Sequence, residues 1–180
     1  QYTSRLFQVM TVAVFVLQKG SRLPLHDHPR MYGLLKVVHG EVKIKTYSPL
    51  DRSKYAVPNA LKEALFNKCG RVINAYPSKY EGTRICSEND ECSTITPDGT
   101  SIHEICAENG TAAFLDVLSP PYNHKTDADL RPCSYYSEIE PDVQDPSIRY
   151  LVKIQAPRDY WCDEAEYDGP QLPLPPEVNN

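Results

Sequence analysis

The fold of this chain is decided by the stretch Gly20-Ser-Arg-Leu-Pro-Leu-His26-Asp-His28-Pro-Arg-Met-Tyr-Gly33, which Gly40 follows. Its two histidines are separated by one residue, so a β-strand would place both imidazoles on the same face. Two close imidazoles form half of a metal site, because neutral imidazole binds several transition metals. An isolated pair of this kind is more often a packing feature than a metal site. The rest of the chain must therefore supply a third ligand.

Short apolar segments separated by turn residues predict a chain made mainly of β-strands. Residues 7–17 are rich in Val, Phe and Thr without helical periodicity, which predicts a buried strand. The best helix candidate is residues 59–67, with Asn59 as its cap and Leu61 and Leu65 spaced i,i+4. Further strands are predicted near residues 34–38, 42–47, 72–73, 93–96, 102–107, 111–118, 133–139 and 148–154. The expected fold class is therefore all-β, a sandwich or jelly roll with few short helices.

Local patterns add detail to this outline. His39-Gly40 is typical of a hairpin turn between the segments at 34–38 and 42–47. The second segment alternates apolar or small residues with lysine or tyrosine, which predicts a half-buried strand with a lysine-lined outer face. The 16 prolines of the chain disfavour long helices. Four of them lie within residues 170–176. A tail from about residue 157 is therefore expected to run extended over the surface.

Length and composition predict one domain that spans residues 1–180. Hydrophobic residues make up 41% of the chain and charged residues 24%, and the net charge is -5, which is ordinary for a globular protein. The absence of a basic patch argues against a nucleic-acid partner. The longest apolar run, residues 12–17, is too short to cross a bilayer, so no membrane partner is expected. A monomer is expected.

Cysteine usage bears on the compartment. The six cysteines form no CxxC pair and are too sparse for a secreted disulfide scaffold. Mostly free thiols in a reducing compartment are expected, and no secretory signal is recognised. The expected location is the cytoplasm, with the nucleus as a second compartment. A local disulfide between Cys86 and Cys92, which flank a polar loop, stays open.

The third ligand candidate is His103, near the start of a predicted strand. Gly20, His26, His28 and Gly40 repeat the first cupin motif, G-x5-H-x-H-x3,4-E-x6-G, and the segment from Pro97 to His103 resembles the second, P-x-G-x2-H-x3-N. These similarities imply a cupin double-stranded β-helix, a jelly-roll barrel whose ligands come from separate strands. His39 and His124 lie in turn-like sequence and are not assigned to the metal.

The departures from these motifs are informative. Tyr32 or Gly33 occupies the position where most cupins carry a glutamate ligand. The second motif has three residues, not two, between Gly99 and His103, and Ala107 replaces its final Asn. The predicted site therefore consists of three neutral histidines without a carboxylate, which describes a subset of cupins.

Over most of its length the chain resembles the animal cysteamine (2-aminoethanethiol) dioxygenases, and more loosely the plant cysteine oxidases. The similarity is carried by residues 23–44, then by Ile102-His-Glu-Ile, Ala113-Phe-Leu-Asp-Val-Leu-Ser-Pro-Pro-Tyr122, Cys133-Ser-Tyr-Tyr136 and Tyr160-Trp-Cys-Asp163. It extends over residues 7–175 and is weakest over residues 51–93, which are expected to form a variable loop. One departure lies beside the histidine pair, where Arg30 replaces the usual glycine and is expected to alter the pocket mouth or substrate preference.

The resemblance implies a non-haem Fe(II) thiol dioxygenase that adds both atoms of O2 to a thiol and yields a sulfinic acid. Its implied substrates are cysteamine, which becomes hypotaurine, and the N-terminal cysteine of proteins, whose oxidation marks a protein for degradation when oxygen is available. This is oxygen sensing through the Cys N-degron pathway. His26, His28 and His103 would bind the iron, and Ni or Zn would be substitutes in a given preparation. Binding of the thiol as thiolate creates its reactive form.

Four further residues are expected to support the reaction. Asp116 and Tyr122 are expected to support the metal ligands, and Asp116 is expected to receive a hydrogen bond from a ligand histidine N–H or from the substrate amine. The alternative is that Asp116 begins a turn and Tyr122 packs on neighbouring prolines. Cys133 and Tyr135 would share one strand face, and the family resemblance implies that they can form a thioether cross-link. The alternative is a free buried cysteine beside a packed tyrosine.

Two other functions stay open. A non-catalytic cupin that binds a small ligand or stores metal would keep the barrel and the histidines without needing Asp116, Tyr122 or the Cys-x-Tyr pair. A zinc-dependent isomerase cupin is a third possibility, although such sites usually retain the glutamate ligand.

Overall fold

Ten β-strands and one α-helix form the secondary structure of the described part of the chain. The computed structural model describes residues 9–124, 129–139, 145–165 and 168–170. In chain order the elements are β1 (Thr11–Leu17), β2 (Arg22–Asp27), β3 (Tyr32–His39), β4 (Glu41–Pro49), α1 (Asn59–Cys69), β5 (Ala75–Ser87), β6 (Ser93–Ile95), β7 (Ile102–Cys106), β8 (Ala112–Ser119), β9 (Tyr135–Ile139) and β10 (Ile148–Ile154). The expected all-β class with few helices is confirmed.

The strands form a four-stranded sheet and a six-stranded closed barrel. Their order is β1-β8-β3-β6 in the sheet and β10-β5-β4-β7-β2-β9 around the barrel. The inner face of the sheet packs against one side of the barrel through a core that includes Leu35, Phe114, Ile44 and Ile105. Because both layers bury one face in this shared core, the architecture is the expected cupin jelly roll.

The barrel has a second core on the other face of its strands. Leu25, Tyr47, Ile102 and Leu151 are buried together there, and Tyr47 is fully buried. The prediction that Tyr47 lies on an outer, lysine-lined face is therefore wrong. Closure of six strands turns this face inward, so that Lys45 is half-buried and forms an ion pair with Glu138.

Gly40 turns the chain from the sheet into the barrel. β3 pairs with β6 and β8, and β4 pairs with β5 and β7, so the two strands do not form a hairpin. The predicted hairpin turn at His39-Gly40 is corrected to a corner between layers. Gly40 has φ 68°, and a Cβ atom there would lie 2.5 Å from the carbonyl oxygen of Thr111, so only glycine fits this corner.

The strand expected to be buried near the start of the chain is half exposed. β1 is an edge strand paired with β8 alone. Val12, Val14 and Val16 are 54%, 61% and 65% exposed, whereas Leu17 and Phe15 face the core. Residues 7 and 8 of the predicted strand lie outside the described residues.

The helix prediction is confirmed, but its cap is not. Pro58 occupies the N-cap position of α1 without a side-chain cap hydrogen bond, so Asn59 is the first helical residue. Leu61 and Leu65 pack in one cluster with residues of β10. Within the part of the chain described here, no helix is long and apolar enough to cross a membrane.

The region expected to be a variable loop contains the longest strand. β5 has 13 residues and pairs with both β4 and β10. The strand predicted at residues 72–73 is wrong: Val72 is 85% exposed, and β5 begins at Ala75. β5 supplies one wall of the cavity described below.

The tail from residue 157 has no strand or helix over residues 157–165 and 168–170. Trp161 is 76% exposed, so its side chain does not anchor this segment by burial in the core. Residues 166–167 and 171–180 of the predicted extended tail lie outside the described residues.

Candidate metal centre

Three histidines meet where β2 and β7 lie side by side. His26 on β2 is paired across the ladder with His103 on β7, and His28 directly follows β2. Opposed residues of antiparallel strands share a face, and the spacing of two residues adds His28 to that face. The ring centroids are 4.8 Å apart for His26 and His28, 4.8 Å for His26 and His103, and 4.7 Å for His28 and His103.

The three rings offer a preformed set of metal ligands. One nitrogen from each ring lies within 4.8 Å of the other two, and all three side chains are buried. Within the described residues, no other group of three His, Cys, Asp or Glu side chains comes together in this way. His39 and His124 are exposed and outside the cluster.

Backbone carbonyl groups fix the orientation of two of the rings. His26 Nδ1 lies 2.7 Å from the carbonyl oxygen of Pro24, and His28 Nδ1 lies 3.3 Å from that of Ser101. A carbonyl oxygen only accepts, so each Nδ1 must carry the proton and donate it. The lone pair of each ring then lies on Nε2, the form that binds a metal.

Burial keeps the histidines neutral. Desolvation lowers the pKa of His26 to about 4 and, together with the neighbouring His26, lowers the pKa of His28 to about 3. Desolvation also lowers the pKa of His103 well below its ordinary value. Metal ligation requires the neutral ring, so the cluster is ready to bind a cation at neutral pH.

Glycine occupies the place of the missing carboxylate. Tyr32 points away from the core and is 63% exposed, whereas Gly33 lies on the buried face of β3 together with Leu35. A Cβ atom at Gly33 would lie 3.0 Å from side-chain carbons of both Ile95 and Leu118. The packing of these two side chains therefore occupies the route that a carboxylate at this position would need.

Asp116 is a buried carboxylate in the middle of β8, so the alternative that it begins a turn is wrong. It is 9% exposed and, within the described residues, its Oδ1 atom has no hydrogen-bond partner. Burial raises its pKa to about 6. Two of the histidines use backbone carbonyls instead of this carboxylate, which leaves Oδ1 available to a ligand.

Tyr122 is braced against the histidine strand. Its hydroxyl group donates a 2.6 Å hydrogen bond to the backbone oxygen of Asp27, and its ring centroid lies 5.6 Å from that of His28. It also packs against Met31, Ile95 and Leu118. Its contacts therefore go beyond packing on neighbouring prolines.

Cys133 and Tyr135 come together as expected. The Cys133 thiol lies close enough to the hydroxyl groups of Tyr135 and Tyr122 for both to affect its pKa, which burial raises to about 11. Tyr135 is paired with His26 across β2 and β9, with ring centroids 6.4 Å apart. The pair therefore lies beside the histidine cluster. All six cysteines, Cys86 and Cys92 included, are free thiols.

Asp27 faces away from the histidine cluster. Its carboxylate accepts 2.8 Å hydrogen bonds from the backbone N–H of Ser134 and from the hydroxyl group of Tyr136. Asp27 therefore joins β2 to the start of β9, next to Cys133. This tie supports the site from the face of β2 opposite the metal ligands.

Arg30 occupies a backbone conformation that explains why glycine is usual there. Its φ is 57°, in the left-handed region that favours glycine. The guanidinium group donates a 2.9 Å hydrogen bond to the carbonyl oxygen of Leu130 and lies 3.3 Å from the Asp129 carboxylate. Arg30 therefore ties the turn after His28 to the segment that precedes Cys133.

A cavity that sequence reasoning missed is lined in part by His103. It has a volume of about 340 Å³ and lies between β4, β5 and β7 on one side and β3 and β6 on the other. Its walls include the side chains of Thr46, Arg84 and Ser93. The sequence carries no clear signal for this cavity, because residues 78–85 do not alternate regularly between apolar and polar residues.

Comparisons with known proteins agree with this geometry. The PCO_ADO family model matches residues 4–172. The chain is 34% identical over 177 residues to 2-aminoethanethiol dioxygenase from Homo sapiens, covering 90% of this chain and 64% of that protein. It is 32% identical over 176 residues to the Mus musculus protein of the same name, covering 90% and 66%. It is 26% identical over 137 residues to plant cysteine oxidase 1 from Arabidopsis thaliana, covering 73% and 39%. The chain thus spans about two thirds of the length of the human and mouse relatives.

Proposed function

This chain belongs to the PCO_ADO family, and on that basis we propose that it is a thiol dioxygenase. The reaction is R–SH + O2 → R–SO2H, in which sulfur is oxidised and both oxygen atoms end in the sulfinic acid. The observation that carries the proposal is the cluster of three buried, neutral histidines with no carboxylate among them. The proposed thiols are cysteamine, which would give hypotaurine, and the N-terminal cysteine of a protein, in line with the names of the relatives.

The proposed resident metal is Fe(II), held by His26, His28 and His103. The donor set fits a divalent transition metal, because the rings are neutral and two of them are held by carbonyl groups on Nδ1. A bound ferrous ion would supply a site for thiolate and O2 together. Ni or Zn would occupy the same ligands in some preparations, because imidazole does not select strongly among these ions.

The chain's own groups would handle protons and orientation. Asp116 offers a buried Oδ1 atom without a partner among the described residues, and a pKa of about 6 places it close to neutral pH. It would accept a hydrogen bond from the ammonium group of an aminothiol or take up the thiol proton. Tyr122, whose hydroxyl group is held by Asp27, would close the site beside His28 against water.

The Cys133–Tyr135 contact supports the further proposal of a thioether cross-link. The Cys133 thiol and the Tyr135 hydroxyl group affect each other's pKa, so the two side chains lie close together. Formation of the bond between the sulfur and a ring carbon would remove one hydrogen atom from each side chain, and O2, already a substrate of the proposed reaction, would accept both and be reduced to H2O2. The cross-link would fix Tyr135 next to His26.

The proposed partners are O2 and either a small aminothiol or an N-terminal cysteine of a peptide or protein. Through the second substrate the protein would act in oxygen sensing by the Cys N-degron pathway. The proposed compartments are the cytoplasm and, second to it, the nucleus. We propose a monomer. Free thiols throughout are consistent with a reducing compartment.

One observation favours an enzyme over a non-catalytic metal-binding cupin, and a second disfavours a zinc isomerase. A non-catalytic cupin has no use for the buried Oδ1 atom of Asp116, which lacks a hydrogen-bond partner among the described residues and whose burial costs stability. The packing at Gly33 disfavours a zinc isomerase, because that site usually includes the carboxylate ligand.

The deciding experiment is anaerobic loading of the purified protein with Fe(II), followed by oxygen-electrode measurements with cysteamine and with a peptide that begins with cysteine. We expect oxygen uptake with at least one thiol and a product mass with two added oxygen atoms. Iron-loaded protein that takes up no oxygen with either thiol would refute the proposal.

A further inference from the structure

The cavity next to His103 has an unbalanced positive charge. Its volume, about 340 Å³, is at the lower end of the range for small-molecule sites, and hydroxyl groups from threonine and serine line much of it. Among its described lining residues the charged groups are Glu81 and Arg84. Glu81 is paired with Lys79 at 2.9 Å, and this hydrogen bond lowers the pKa of the Glu81 carboxyl group. The charge of Arg84 is therefore the one that a ligand in the cavity would meet.

Arg84 shares the face of the barrel wall that carries His103. Arg84 on β5 is paired with Ile44 on β4, and Thr46, two residues further along β4, is paired with His103 on β7. Paired residues and residues two apart share one face. Two strand spacings, roughly 10 Å, separate the backbones of β5 and β7. The positive charge of Arg84 contributes to the lowered pKa of His103.

The guanidinium group of Arg84, an exposed residue of β5, is held by one hydrogen bond, and its charge also reaches the carboxylate of Asp90. Arg84 Nη2 donates a hydrogen bond to the hydroxyl group of Ser93, which is buried on β6. Within the described residues, no carboxylate lies within ion-pair distance of Arg84. The remaining N–H groups of this planar donor suit a carboxylate, which they can bind with two hydrogen bonds.

We propose that Arg84 is a specificity-determining residue that binds a carboxylate group of the thiol substrate. This inference rests on the proposed function and adds a preference within its substrates: a thiol that carries a carboxylate gains a contact with Arg84 that cysteamine, which has no carboxylate, does not make. The carboxylate would be the α-carboxylate of free cysteine or an acidic side chain at the second position of a peptide that begins with cysteine. In both cases the sulfur faces the histidines while the carboxylate reaches the β5 wall.

The kinetic test compares thiols that differ only in this charge. We pair L-cysteine with cysteine methyl ester and the dipeptide amide Cys-Glu with Cys-Gln, and include cysteamine. Arg84→Gln should lower kcat/KM about tenfold for cysteine, for Cys-Glu or for both, and leave the neutral partner and cysteamine within twofold. The affected pair identifies the source of the carboxylate. Arg84→Lys should recover part of the loss because it keeps the charge but not the two-point contact.

A matched control and a second readout separate the possible failures. Arg71→Gln removes the same charge outside the cavity and should change none of the five substrates. Anaerobic calorimetry of the iron-loaded protein measures binding without turnover, and the Kd of the affected acidic thiol should rise about tenfold in Arg84→Gln. Equal losses for acidic and neutral thiols in both assays would overturn the inference. If the wild type binds acidic thiols through Arg84 but oxidises none, the proposed reaction fails while the carboxylate site stands.

Discussion

The hydroxyl group of Tyr136 donates a 2.8 Å hydrogen bond to the carboxylate of Asp27, the residue between His26 and His28. The bond lies on the side of β2 opposite the histidine cluster, among the residues that fill the barrel. Burial raises the pKa of Asp27, so its carboxylate depends on such donors. The orientation of the metal ligands therefore depends on the second core of the barrel as well as on the core that the barrel shares with the sheet.

Tyr136→Phe should remove this donor and leave Asp27 with one fewer partner. We expect the free energy of unfolding to fall by about 1–3 kcal/mol, the usual cost of an unsatisfied buried acceptor. Urea denaturation followed by circular dichroism measures it. The partly exposed Tyr55→Phe is the control and should change the free energy by less than about 0.5 kcal/mol. An equal effect of both substitutions would show that the bond to Asp27 contributes nothing.

Asp116→Asn should stabilise the metal-free protein at neutral pH. The folded-state pKa of about 6 lies above the ordinary value, so stability falls as pH rises from about 4 to about 6 and stays low above it. Removing the ionisable group removes this loss, which is up to about 3 kcal/mol. Unfolding curves at pH 4.5 and 7.5 measure the effect, which should appear mainly at the higher pH. A pH-independent difference would contradict the raised pKa.

His103→Ala should abolish retention of iron. Two remaining protein ligands form too few bonds to hold a labile ferrous ion. Metal content after gel filtration measures the loss, with the exposed His39→Ala as the control that keeps its iron. Unchanged iron in His103→Ala would show that the third ligand is another residue.

Gly40→Ala should destabilise the protein more than Gly20→Ala. Both glycines have positive φ, which costs about 1 kcal/mol for alanine. At Gly40 the added Cβ atom also meets the Thr111 oxygen at 2.5 Å, whereas nothing lies within 4 Å at Gly20. Thermal unfolding should therefore show a larger decrease in Tm for Gly40→Ala. Equal decreases in Tm would mean that the backbone at Gly40 moves away from the Thr111 oxygen without loss of stability.

If Cys133 and Tyr135 become joined during turnover, the iron-loaded protein should lose the mass of two hydrogen atoms. Mass spectrometry of the intact protein measures this change. Cys133→Ser should abolish the change because it removes the sulfur. Cys162→Ser, which alters an exposed thiol in the tail, is the control and should keep it. A mass change that persists in Cys133→Ser would assign the modification to another residue.

The histidine site could be predicted from the sequence because its geometry is largely local. A spacing of two residues determines the relative direction of His26 and His28 in a strand. The second motif identifies His103 as a ligand, but its pairing with His26 across β2 and β7 could not be predicted. The alternation of side chains along a strand also places Asp27 on the face opposite His26 and His28.

Features that depend on non-local pairing could not be predicted. His39-Gly40 reads the same whether the next strand pairs with the previous one or crosses to another layer. The valines of β1 alternate with Ala13 and Phe15, which are also apolar, so no polar residue marks the exposed face. Arg84 gains its position only from the register of β5 on β4, in a region assigned to a loop.

The contacts around Gly33 tie the three-histidine site to the core of the sheet. Replacing Gly33 with glutamate would bring its Cβ atom to 3.0 Å from side-chain carbons of both Ile95 and Leu118, tighter than ordinary contact. The ends of both side chains would have to shift by a few tenths of an ångström to accommodate the new residue. Introducing a fourth, carboxylate ligand at this position would therefore also require β6 and β8 to adjust their packing against β3.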